Sequence, residues 1–294
     1  MTDKWIATPS RTTEIMQKYD IKMKKSLGQN FLIESNILAK MIETGQINQQ
    51  TTVIEIGPGI GALTEYLAHY AKRVVAFEID SRFIEILADT LEAYDNVEIV
   101  HQDILSVDFN SPEFSDLQNA EELVVCANLP YYITTPIIIH LLSSSLNFKR
   151  LVMMMQKEVA ERMTATVGTK AYNSLTIAIQ NQMVSKLAFV VPKSVFVPKP
   201  NVDSAVLLLE KREEPLVCVD DSQGFEQFVR LGFVQRRKTL WNNYRTALIS
   251  EKYSLDALEK LFTQSQIEAN RRAETLSIYE FAELFKVYQS QIAE

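Results

Sequence analysis

Apolar positions along the chain switch between short continuous runs and runs spaced three or four residues apart, and the two patterns alternate from residue 51. Continuous runs bounded by turn residues predict buried strands, and the wider spacing predicts amphipathic helices. Strands are therefore expected at Thr52–Ile56, Arg73–Phe77, Val97–Val100, Leu123–Ala127 and Leu151–Met155. Helices are expected at Ala62–Tyr70, Arg82–Tyr94 and Thr135–Leu142. Upstream, residues 9–19 read as a short capped helix leading into a basic, polar stretch. Lys186–Val191 and Ser204–Leu209 read as two closing strands. The Pro-rich link Pro192–Pro200 is too tight for a crossover helix and suits an antiparallel return. Alternation of this kind implies an α/β fold, a mostly parallel sheet covered on both faces.

After Pro215 the period changes: no further Pro occurs, and Phe225/Phe228/Val229/Phe233 and Phe281/Leu284/Phe285/Tyr288 repeat at helical spacing. The expected organisation is an N-terminal helix and basic arm over 1–30, an α/β domain over 31–212 and an all-helical domain over 213–294.

At 294 residues and 47% hydrophobic content the chain can bury a substantial core, which excludes disorder as its dominant state. A net charge of −7 disfavours a globally basic protein that coats nucleic acid. Locally the balance differs, because residues 1–30 carry six Lys and Arg against three Asp and Glu. Lys22, Lys24, Lys25, Lys149, Arg150, Arg236, Arg237, Lys238 and the pair Arg271/Arg272 are the candidate RNA contacts, with solvated faces the competing explanation. Cys126 and Cys218 have neither disulfide nor zinc spacing, and His69, His101 and His140 form no metal pattern, so no metal is expected. No apolar run approaches the ~18 residues needed to span a bilayer, so a cytoplasmic protein without membrane attachment is expected.

Candidate chemistry gathers at the ends of the expected strands. Glu55-Ile-Gly57-Pro-Gly59-Ile-Gly61 joins the first strand to its helix, where glycines permit positive φ and close approach of a ligand to the backbone. Alone the motif equally marks a plain tight turn, and its spacing is not the GxGxxG of dinucleotide binders. Glu78 ends the next strand about 20 residues on, where an acid can accept from ribose hydroxyls. Asp103 follows the third strand, in position to read an adenine amine. Cys126-Ala-Asn128-Leu129-Pro130-Tyr131-Tyr132 closes the fourth strand. Its X-Pro step keeps Leu129 extended, so the Leu129 carbonyl and the Asn128 side-chain oxygen can converge on one spot, with Tyr131 as a flat stacking surface.

Asn128-Leu-Pro-Tyr131, together with Lys25-Ser-Leu-Gly-Gln-Asn-Phe-Leu32 and the Gly57 loop, resembles the ribosomal RNA adenine dimethyltransferase family. Phe196-Val-Pro198-Lys-Pro200-Asn-Val202-Asp-Ser204 is similar to that family's later signature. Gln235-Arg-Arg-Lys-Thr-Leu240 and Arg272-Ala-Glu-Thr-Leu-Ser277 resemble its bacterial small-subunit branch. The resemblance implies a Rossmann-like class I methyltransferase fold with a seven-stranded sheet and a helical C-terminal domain. It implies S-adenosylmethionine as cofactor and S-adenosylhomocysteine as product, with Asn30, Leu32, Gly57, Gly59, Glu78, Asp103 and Asn128 at the cofactor. Asn128, Leu129, Pro130, Tyr131 and Phe196 would form the target site, with Tyr131 and Phe196 sandwiching the adenine.

The implied substrate is 16S rRNA in a pre-30S particle, where a monomeric enzyme would dimethylate two adjacent adenosines in the 3′-terminal hairpin loop. The rivals are a 23S rRNA dimethyltransferase conferring macrolide resistance, a non-catalytic ribosome-assembly or transcription factor on the same fold, and an NAD-dependent dehydrogenase. The last is weakened by the glycine spacing. Two departures from the family pattern, Val167 for Pro and Asn173 for Gly, raise the question of loop geometry, with Asn173 expected to keep a left-handed turn.

Overall fold

The computed structural model describes residues 5–21, 30–249 and 253–293. The strands are β1 (Phe31–Leu32), β2 (Thr52–Ile56), β3 (Arg73–Glu78), β4 (Val97–His101), β5 (Leu123–Asn128), β6 (Phe148–Gln156), β7 (Met183–Val191), β8 (Phe196–Val197) and β9 (Ser204–Lys211). The helices in the first half are α1 (Pro9–Lys18), α2 (Ser35–Gly45), α3 (Ala62–Tyr70), α4 (Ser81–Thr90), α5 (Ser115–Gln118) and α6 (Thr134–Leu142). They are followed by α7 (Lys157–Met163), α8 (Ser174–Gln182), α9 (Ser222–Gly232), α10 (Leu240–Leu248), α11 (Leu255–Ser265) and α12 (Ile278–Ala293).

Seven strands form one sheet in the order β4-β3-β2-β5-β6-β9-β7. β4, β3, β2, β5 and β6 run parallel, whereas β9 is antiparallel to β6. The central strands are buried because both faces are covered: all five residues of β2 are buried, Glu55 among them, as are Leu123–Ala127 of β5. Strand order reverses direction at β2, with β3 on one side and β5 on the other, which opens a crevice at the carboxyl ends of these strands.

The seven expected strands form at the expected places, with ends shifted by a few residues. The short pair β1 and β8 has no periodic signal, because two residues are too few for one. It is antiparallel, with Phe31 opposite Val197 and Leu32 opposite Phe196. The N-terminal helix is a docked part of the sheet-bearing unit. Trp5 lies over Tyr66 with ring centroids 4.2 Å apart, the Ile6 amide donates to Glu65 Oε2 at 2.7 Å, and Lys18 pairs with Asp89 at 2.7 Å. Lys22, Lys24 and Lys25 of the basic arm lie outside the described residues.

The chain divides into two compact units, one comprising residues 1–160 and 186–211, the other 161–185 and 212–294. This differs from a single cut at 212, because Tyr172 and Ile177 are buried in the same apolar core as Phe225, Phe228, Leu258, Leu261, Phe281 and Phe285. Asn173 is not left-handed. Its φ of −158° is extended, and it caps α8 by accepting the Leu175 amide at 2.9 Å, while Thr176 Oγ1 accepts the Asn173 amide at 3.1 Å. A capping residue suffices there because the positive φ of this loop falls on Gly168, at +84°.

Candidate active site

A cavity of ≈ 230 Å³ lies at the carboxyl ends of β2, β3 and β5. The loop after β2 forms its floor. Gly57, Gly59 and Gly61 have φ of +69°, +59° and +91°, which side chains rarely adopt. A Cβ on Gly59 would stand 3.3 Å from Phe31 Cε1, whereas one on Gly57 would meet nothing within 4 Å and would face open space.

Three carboxyls line the cavity, and among the described residues no Lys, Arg or His does. Glu78, at the end of β3, is 5% exposed. Its Oε2 accepts from the Gly59 amide at 3.1 Å and its Oε1 from the Asp80 amide at 2.8 Å. Burial pushes its pKa up and these backbone donors hold it down. Each oxygen keeps a lone pair for a further donor. Asp103 Oδ1 accepts from the Leu105 amide at 3.0 Å, which fixes the turn Ile104–Ser106 beside the cavity. Glu55, inside β2, is 1% exposed, and burial pushes its pKa up to about 8.

The segment after β5 is held from both sides. The Leu129 amide donates to the Met154 carbonyl at 2.9 Å, extending the pairing with β6 by one residue. The Pro130 carbonyl accepts from the Ile133 amide at 3.3 Å and the Thr134 hydroxyl at 3.0 Å, opening α6. The Tyr131 hydroxyl lies 2.6 Å from Ser204 Oγ at the start of β9. Asn128 is half-buried at the strand end, and it lines the cavity with Leu129, Pro130 and Tyr131.

Asn30, Leu32, Gly57, Gly59, Glu78, Asp103, Asn128, Leu129, Pro130 and Tyr131 thus meet in one cavity. Phe196 does not line it: it is 3% exposed, paired with Leu32 and packed in the main core. The cavity also takes in residues that the sequence reading did not single out, among them Phe31, Ile79, Leu105, Tyr132 and Glu55. Glu55 had a signal, an acid inside an apolar strand; the others are ordinary apolar or aromatic residues and had none.

The basic candidates separate by environment. Arg150 is committed internally: it pairs with Glu122 at 2.7 Å and donates to the Gly45 carbonyl and to Gln46 Oε1, both at 3.0 Å. It ties the end of α2 to the sheet and is not free to reach RNA. Arg236 pairs with Glu274 at 3.0 Å, and Arg271 pairs with Glu280 and donates to the Thr275 carbonyl. Lys149, Arg237, Lys238 and Arg272 are exposed.

The family described as ribosomal RNA adenine dimethylase matches residues 20–290. The chain belongs to this family. It is 54% identical over 285 residues to the ribosomal RNA small subunit methyltransferase A of Enterococcus faecalis, covering 97% of each chain. Among solved structures it is similar to a dimethyladenosine transferase from Plasmodium falciparum, with a TM-score of 0.73 and 28% identity over 88% of this chain and 98% of that one. It is also similar to the 23S rRNA methyltransferase ErmE, with a TM-score of 0.65 and 25% identity over 88% of this chain and 99% of that one.

This family methylates ribosomal RNA with S-adenosylmethionine, and the residues here fit that cofactor. The cavity has three carboxyls and no cationic side chain to meet a net-cationic ligand, is apolar at Phe31, Leu32, Phe77 and Ile79, and is bare of a side chain at Gly57. Among the described residues no group of three or more His, Cys, Asp or Glu could hold a metal ion, and no helix is long and apolar enough to cross a membrane.

Proposed function

We propose that the protein dimethylates the exocyclic amines of two adjacent adenosines in the 3′-terminal hairpin loop of 16S rRNA, acting as a cytoplasmic monomer on a pre-30S particle. One observation carries the reading: the Gly57 loop, Glu78, Asp103 and the Asn128–Tyr131 segment line a single cavity. The 54% identity to a small-subunit enzyme over almost the whole chain, against 25% to a 23S enzyme, favours the small-subunit target.

S-adenosylmethionine supplies the methyl group and leaves as S-adenosylhomocysteine. Glu78 accepts from the ribose hydroxyls, Asp103 accepts from the adenine amine, and Asn30 and Leu32 close the same cavity. The target amine is a poor nucleophile because its lone pair is delocalised into the purine ring. Asn128 Oδ1 and the Leu129 carbonyl accept its N–H groups, which favours a pyramidal nitrogen and aims the lone pair at the methyl carbon. Pro130 holds Leu129 extended, and Ser204 fixes the Tyr131 ring against which the flipped base stacks. Phe196, on the β8 strand paired with Leu32, is the second aromatic assigned to the base. Such stacking is worth roughly 1–3 kcal/mol per base and offsets part of the cost of flipping. The alkylated nitrogen is acidic and loses its proton to water, so no dedicated base is needed. Lys149, Arg237, Lys238 and the arm residues Lys22, Lys24 and Lys25 supply the phosphate contacts.

Incubation with labelled S-adenosylmethionine and immature 30S subunits tests this. The expected result is label in 16S rRNA at dimethyladenosine; label only in 23S rRNA, or in neither, overturns it.

A further inference from the structure

Of the three acids in the cavity, Glu55 is set apart. Glu78 receives two backbone N–H groups and Asp103 one. Glu55 Oε2 is buried and makes no hydrogen bond of normal geometry, and the Thr64 hydroxyl of α3, also without one, is its weak polar neighbour. Buried polar atoms are almost always paired, so an unpaired carboxyl oxygen on a ligand cavity asks for a ligand-dependent explanation.

The surroundings fix its charge state. The neighbouring groups that bear on it are Thr64 from α3, Glu78 from β3 and the buried thiol of Cys126 from β5. None is a cation, and an ionised Glu78 repels a second negative charge. Burial and this repulsion both favour the neutral acid; the Thr64 hydroxyl opposes them weakly, and no cationic side chain among the lining residues does. A cation placed in the cavity would do so.

We infer that Glu55 makes the cavity proton-linked: it carries a neutral carboxyl in the free protein and ionises when a net-cationic ligand binds, releasing one proton to solvent. This rests on the cofactor reading above. Its consequence is discrimination by charge. S-adenosylmethionine is net cationic through its sulfonium, whereas S-adenosylhomocysteine, which keeps only the balanced ammonium and carboxylate, is net neutral, so the ionised Glu55 carboxylate faces a net-cationic ligand only before methyl transfer. After transfer the carboxylate is left buried beside a neutral sulfur and takes a proton back, which weakens the hold on the product. An enzyme that must exchange cofactor for every methyl group gains from that asymmetry.

Calorimetric titration of the full chain near neutral pH, in buffers of different protonation enthalpy, counts the protons released. S-adenosylmethionine and sinefungin, which carries an amine in place of the methylated sulfonium, are expected to release close to one proton, and S-adenosylhomocysteine well under half. In Glu55→Gln the release with S-adenosylmethionine falls to the level seen with S-adenosylhomocysteine. Equal release for the two ligands in the wild type, or unchanged release in Glu55→Gln, overturns the inference. Infrared difference spectra of the wild type give a second readout that needs no variant: the carbonyl band of a protonated carboxyl disappears on adding S-adenosylmethionine, and its persistence overturns the inference too. Failure of the wild type to bind either nucleoside would instead sink the cofactor reading, whereas binding without differential proton release sinks only the role of Glu55.

Discussion

At the scale of single residues, the site depends on a few polar atoms held by backbone. The backbone of Asn128 is fixed opposite Met154 where β5 pairs with β6, so its place at the cavity is set before any substrate arrives. On the proposed function, replacing it with Ala removes an acceptor for the reacting amine, and a preorganised hydrogen-bonding group of this kind is worth about 100- to 1000-fold in rate. Methylation of 30S subunits by Asn128→Ala is expected to fall on the order of 100-fold, measured as initial rate with labelled cofactor. Glu55 makes a different prediction, on stability. Its carboxyl moves from an ordinary 4.5 to about 8 on folding. Below about 4.5 it is neutral in the folded and unfolded chain alike; above that the unfolded chain sheds the proton while the folded chain keeps it. Its contribution to the ligand-free protein is therefore fully present in acid and is lost as pH rises through the folded value, by on the order of 5 kcal/mol. Denaturant titrations between about pH 5 and pH 8 are expected to show that slope in the wild type and a shallower one in Glu55→Gln.

At the scale of elements, two glycines of one loop serve different ends. Gly59 combines φ +59° with Phe31 at 3.3 Å, so Ala there strains the backbone and must displace a buried ring. Gly57 has φ +69° and free space, so Ala there costs only the backbone term, about 1–2 kcal/mol, but projects a methyl into the cavity. Gly59→Ala should lower the melting temperature more, and Gly57→Ala should weaken S-adenosylhomocysteine binding at least about tenfold by calorimetry. The basic segments divide in the same way. Arg150→Ala breaks a partly buried pair and the tie to α2, so stability should fall by about 1–3 kcal/mol with methylation retained at low temperature. Arg237→Ala combined with Lys238→Ala should leave the melting temperature unchanged and weaken binding to 30S subunits.

At the scale of the whole molecule, a net charge of −7 sets how RNA can be held. Acids outnumber Lys and Arg by 37 to 30, so binding to an isolated hairpin RNA should be weak and should fall steeply with salt. Filter binding across a salt series checks this; tight binding at high salt would contradict it. Most of the sheet was legible, because strands covered on both faces carry continuous apolar runs, as in Val53-Ile54 and Val124-Val125-Cys126. The site was legible to the extent that its residues end strands, as Gly57, Glu78, Asp103 and Asn128 do, since open α/β sheets bind ligands there. Residues whose role depends on distant partners were not. Nothing local marks Arg150 as a clamp on Glu122, or Ser204 as the partner of Tyr131.

Local chemistry alone therefore determined the alternation of strands and helices, the positive-φ loop at Gly57 and the family, because period, glycine freedom and motif spacing are properties of neighbouring residues. Only tertiary structure decided that Phe196 sits buried against β1, that residues 161–185 share a core with the C-terminal helices, and that Glu55 is a buried acid with no cation beside it. Burial and pairing are set by segments far apart in the chain, and the free energy of a charge depends on what surrounds it.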